Sequence, residues 1–105
     1  MAYKVIWSSE AIQDLDDIAE YIHRDSPLNA GIVVGKFLEL VSQYGSFPKA
    51  ATIVPEIGKP NYRHKQVYGW RVIYRIDEGD RSVVILAIIH GKRQFSNLHG
   101  RFWDE

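Results

Sequence analysis

"YRHKQVYGWRVIYRIDEGDRSVVILAIIH", residues 62–90, holds the reading that decides the fold. "YRHKQV" and "WRVIYRI" flank Tyr68-Gly69, and two alternating runs around a two-residue turn predict a β-hairpin. In Trp70–Ile76 the side chains alternate, so Trp70, Val72, Tyr74 and Ile76 share one face and Arg71, Ile73 and Arg75 the other. Either Tyr62 or Arg63 then joins the arginine face across the hairpin, because a one-residue change of register exchanges the faces. "EGD" (78–80) turns the chain into "RSVVILAIIH", which is apolar at successive positions. A strand without alternation is buried on both faces, so this run is expected at the centre of a sheet with both sides covered.

Working toward the N-terminus, residues 46–61 hold three of the four prolines and read as a loop with a short strand near Thr52–Val54. Before it, Ala30, Val33, Val34, Phe37, Leu38, Val41 and Tyr44 recur at helical spacing, with Pro27 at the first helical position and Ser26 as its cap. Gly31 and Gly35 lie four apart on that helix and predict a smooth place for helix–helix contact. Ala11, Leu15, Ile18, Ala19 and Ile22 predict an earlier helix capped by Ser8 or Ser9. "YKVIW" (3–7) reads as a strand. The order is strand, antiparallel helical hairpin (about 9–45), then an antiparallel sheet of three or four strands (about 62–90) and a tail (91–105): one α+β domain.

Composition is consistent with this. A 105-residue chain with 46% hydrophobic residues can bury a single core without covalent staples. It has no cysteine, which excludes disulfides and thiolate chemistry. No signal-peptide pattern opens the sequence, and the run Val83–Ile89 is too short for a transmembrane helix. A soluble, cytoplasmic protein without membrane contact is expected. The net charge is zero, yet residues 1–48 carry seven acids against three bases, and residues 49–105 ten bases against six acids. Such an asymmetry fits two solvated faces, or a basic half that meets an anionic partner.

Dinucleotide-binding, P-loop, serine-hydrolase and zincin motifs are all missing. His23, His64, His90 and His99 lack metal-ligand spacing, and nothing calls for a cofactor. The acids Asp14, Asp16, Asp17 and Glu20 read as a solvated helix face.

"WSSEAIQDLDDIAEYI", "SPLNA", "VPEIG", "YRHKQVYGWRVIYRI" and "VVILAIIHGKR", in that order, resemble the successive blocks of the RelE/ParE superfamily of toxins from type II toxin–antitoxin modules. The likeness covers nearly the whole chain and is closest to the ParE, or plasmid-stabilisation, branch. It implies a helical hairpin packed on an antiparallel sheet, and growth inhibition relieved by a small cognate antitoxin in a toxin–antitoxin hetero-oligomer. ParE-like members act on DNA gyrase, whereas RelE-like members are ribosome-dependent mRNA endonucleases. Cleavage of RNA needs a base, an acid and cations for the phosphorane charge. Arg71, Arg75, His90 and Arg93 are the candidates here, with Glu56 as a base if its loop folds back over the sheet. Against cleavage, no tyrosine follows Tyr74, and the tail offers Phe95, Phe102 and Trp103. Gripping a protein target such as gyrase is therefore preferred to cutting mRNA at the ribosome; a non-toxic complex-forming relative is the third alternative. The partner-binding residues expected are Arg63, Arg71, Arg75, Arg93, Phe102 and Trp103. With both helical stripes buried on the sheet, the antitoxin is expected on the sheet's other face, its edges and the tail.

Overall fold

A computed structural model describes residues 2–91, so Arg93, Phe102 and Trp103 lie outside the described residues. Strand β1 (Lys4–Trp7) leads into helix α1 (Ser9–His23), helix α2 (Pro27–Ser42) and a 3-10 turn (Gln43–Gly45). Strands β2 (Thr52–Ile53), β3 (Tyr62–Val67), β4 (Trp70–Asp77) and β5 (Ser82–His90) follow. They form one five-stranded sheet in the order β1-β5-β4-β3-β2. β2 to β5 are antiparallel neighbours, while β1 runs parallel to β5 from Lys4↔Ser82 to Trp7↔Ile85.

Local chemistry sets the element ends. Ser8 Oγ accepts from Ala11 N at 3.1 Å and Ser26 Oγ from Asn29 N at 3.1 Å, so each helix starts on a side-chain cap. Tyr68 and Gly69 both take positive φ, 54° and 84°, the conformation that a two-residue hairpin turn demands. That turn pairs Val67 with Trp70 and Tyr62 with Arg75, so Tyr62, not Arg63, joins the arginine face.

Phe37, Val41 and Tyr44 pack with Ala11 and Ile18 on Val72, Tyr74, Ile76, Val83, Ile85 and Ile88. Tyr44 stacks on Tyr74 with ring centroids 4.2 Å apart, and the Tyr74 hydroxyl donates to Pro48 O at 2.6 Å, tacking the following loop to the sheet. A second cluster lies on the outer face, where Val54, Ile57 and Tyr62 cover Ile73, Leu86, Ala87 and Ile89. A bulge explains how β5 serves both. Ile73 pairs with Ala87 but Tyr74 with Ile85, so Leu86 is the extra residue and the alternation shifts there. Beyond the end of β1, Asp14 Oδ2 accepts from Ile88 N at 2.9 Å, so α1 covers the strand's edge.

Two expectations need correction. A Cβ built on Gly31 or Gly35 meets nothing within 4 Å, so these glycines face open space and not another helix. Nor are the apolar helical residues all buried. Leu38, expected in the stripe on the sheet, is 48% exposed, and Ile12, Leu28 and Ile32 are exposed with it. The hydrophobic stripe of α2 is wider than the arc the sheet can cover, and the excess faces outward.

Candidate functional site

The outer face of the hairpin carries Arg71, Arg75 and His64, while Arg63 and Lys65 alternate to the helix side. Arg71 is the second residue of β4, just after the hairpin turn, with its side chain 8% exposed. Its Nη1 and Nη2 donate to Glu56 Oε2 and Oε1, each at 2.9 Å, and its Nε donates to His64 Nδ1 at 3.1 Å. A planar guanidinium meeting both carboxylate oxygens is the strong bidentate form of an ion pair. Glu56 reaches it because the chain turns back after β2: Ile57 N and Gly58 N both donate to Val54 O, and Gly58 takes φ 74°. The loop does fold over the sheet, and Glu56 serves there as the counter-ion of Arg71.

The hydrogen bonds from Arg71 hold the Glu56 carboxyl below the usual carboxylate range. Burial, aided by the Arg71 charge, pushes the His64 imidazole down from its ordinary value. His64 is thus kept neutral, which suits its acceptor nitrogen.

Arg75 shares the outer face but is half-exposed, with Nη1 at 3.8 Å from Asp77 Oδ2. Four residues along a strand separate it from Arg71 by roughly 13 Å. Arg63 stands opposite Tyr74 on the helix-side face, and its Nε and Nη1 donate to Pro60 O at 2.8 Å and Ala51 O at 3.0 Å. Those bonds hold loops in place. His90 is paired with Trp70, likewise on the helix side. Its ring meets Trp70 edge-on with centroids 6.0 Å apart, in a cleft of about 430 Å³ lined also by Asp17, Ile18 and Tyr21.

The structure therefore brings Arg71 and Arg75 onto one face and places Arg63 and His90 on the other. Sequence reasoning missed His64. The signal was present: a two-residue turn at Tyr68-Gly69 sets Gln66 opposite Arg71, which makes His64 the diagonal neighbour. Among the described residues, no group of three or more His, Asp or Glu could hold a metal ion, and no helix is long and apolar enough to cross a membrane.

This architecture recurs in solved toxin–antitoxin structures. A chain of the chromosomal ParDE system from P. aeruginosa shares 21% identity, with 85% of this chain and 96% of that one covered at a TM-score of 0.69. The RelBE2 toxin–antitoxin complex from Mycobacterium tuberculosis matches at 19% identity, 86% and 99% coverage and a TM-score of 0.61. The isolated E. coli RelE toxin matches at 14% identity, 91% and 92% coverage and a TM-score of 0.60. At such identities these likenesses show a shared fold. No curated protein matches in sequence. The family model described as "ParE toxin of type II toxin-antitoxin system, parDE" does match, over residues 5–95. Spanning the hairpin, the sheet and the ordered helix caps alike, that match assigns the chain to the ParE toxin family of type II toxin–antitoxin systems.

Proposed function

We propose that this chain is a toxin that acts by binding a protein target, DNA gyrase, and is neutralised by a cognate antitoxin. One observation carries the preference for gripping over cutting: among the described residues, the candidate catalytic groups do not converge. Arg71 and Arg75 face outward, His90 lies across the sheet beside Trp70, and the Arg71 guanidinium is held by Glu56. A general acid must come within hydrogen-bond reach of the phosphate that the cations hold, directly or through one water. His90 and the two outer-face arginines lie a sheet thickness apart, which supports gripping over cutting.

The test sets two assays on the same purified chain. Inhibition of gyrase supercoiling without codon-specific cleavage of translated mRNA is the expected result. Cleavage mapped by primer extension, with gyrase unaffected, would overturn the reading. His90→Ala separates the mechanisms further. As a surface residue of a gripping toxin it should change growth inhibition only a few-fold, whereas a general acid would lose roughly 10²–10⁴-fold in cleavage rate.

The antitoxin segment is read as an amphipathic, acid-bearing stretch that meets Arg75 and the apolar surface near it. The exposed Ile12, Leu28, Ile32 and Leu38 supply a further apolar surface on the helices. Arg75→Glu is the clean probe, because Arg75 is half-exposed and its reversal leaves the core intact. Isothermal titration with the antitoxin should show affinity weakened by more than ~1 kcal/mol, beyond the value of an exposed pair. Unchanged affinity would shift the contact to the helical surface.

A further inference from the structure

The segment between β2 and β3 has little regular structure, yet it closes the outer face of the sheet. Val54 and Ile57 rest on Ile73, Leu86, Ala87 and Ile89. Two arginines tie the segment down from different sides. Arg63 Nε donates to Pro60 O near its end, and Arg71 takes the Glu56 carboxylate in its middle.

The Arg71 tie depends on a third residue. Arg71 Nε donates to His64 Nδ1, so that nitrogen must present a lone pair and the ring proton must sit on Nε2. A protonated imidazole has N–H at both nitrogens. It would set donor against donor and place a second positive charge beside the guanidinium. We propose that Glu56, Arg71 and His64 form a pH-sensitive latch. Neutral His64 orients Arg71 to clamp the Glu56 loop on the sheet, and protonation of His64 frees the loop and bares the apolar surface beneath.

The groups around His64 set the direction. From β4 comes the Arg71 guanidinium, and from the loop the Glu56 carboxylate. From β2 comes only the Thr52 hydroxyl, which donates to the His64 carbonyl at 3.5 Å. On its own strand Lys65 alternates to the opposite face and Gln66 is uncharged. Glu56 favours the imidazolium, while burial and Arg71 oppose it and prevail. The folded state therefore binds fewer protons at this site than the unfolded chain. The latch contributes fully above the ordinary imidazole value of 6.5 and weakens as pH falls through the lowered folded value. Glu56, also held below its ordinary 4.5, adds a loss of the same sign at more acid pH. The proposal is independent of the toxin's target.

The experiment is amide hydrogen exchange on the full chain, read by NMR beside the individually assigned His64 imidazole titration. Protection of the Val54, Ile57 and Gly58 amides, corrected for intrinsic exchange, should fall about tenfold or more on acidification, with the midpoint of the His64 titration. His64→Asn keeps an acceptor near the Nδ1 position and cannot titrate, so it should hold protection level across the same range. Glu56→Gln should be loose throughout. Flat protection in the unmodified chain while His64 titrates would overturn the latch, and so would an unaltered fall in His64→Asn. Should that variant not fold, coincidence or separation of the two midpoints in the unmodified chain decides by itself.

Discussion

Glu56→Ala is expected to lower the unfolding free energy by on the order of 3 kcal/mol, the cost of leaving the buried Arg71 guanidinium without its carboxylate. The asymmetry of the pair decides the size. Arg71 is the buried member, with 8% of its side chain exposed against 39% for Glu56. Removing the glutamate therefore takes a bidentate acceptor from the cation least able to recruit water, and the loop loses its central tie. Partial exposure of the glutamate keeps the estimate at the low end of the range for such pairs. Urea unfolding at neutral pH measures it. Glu56→Leu combined with Arg71→Met should recover most of the loss, because removing both charges also removes both desolvation penalties. A single-variant effect below about 1 kcal/mol would place the pair among ordinary surface salt bridges.

Phe37→Ala should cost about 3–5 kcal/mol, the usual toll of emptying a fully buried aromatic site. Phe37 is 0% exposed and meets Trp70 edge-on, with ring centroids 6.2 Å apart. Trp70 in turn meets His90, so this one side chain from α2 supports the wall of the cleft as well as the core. Small domains have only about 5–15 kcal/mol in total, so the variant should unfold at markedly lower denaturant. Phe37→Leu, which keeps most of the volume, should cost less than about 1.5 kcal/mol. A loss under about 2 kcal/mol for the alanine variant would mean that the helices close over the gap.

The two large effects differ in how far the sequence announced them. Phe37 belongs to a helical apolar period that points at the sheet whatever else happens, and the period alone marked it as core. The sequence offers Glu56 as a base on condition that its loop folds back over the sheet, and the loop does fold back. What Glu56 does there is bind Arg71, a pairing between residues fifteen apart that no local pattern encodes. Gly31 and Gly35 teach the reverse lesson. Their spacing invited a close helix contact, but spacing shows what a surface permits and not what approaches it.

Periodicity, capping serines, Pro27 and the Tyr68-Gly69 turn determined the elements and their order. These signals act within a few residues, where backbone sterics and hydrogen bonding need no distant partner. The hairpin register is open in the sequence between Tyr62 and Arg63, and the structure puts Tyr62 and His64 on the Arg71 face through the positive-φ turn at Tyr68-Gly69. Only the tertiary structure decided the rest. It placed β1 parallel to β5, put the bulge at Leu86, gave the outer face to the Glu56 loop and left Leu28, Ile32 and Leu38 exposed. Each of those outcomes depends on which surfaces compete for burial. That competition is settled by the packing of segments far apart in the chain, where local pattern has no reach.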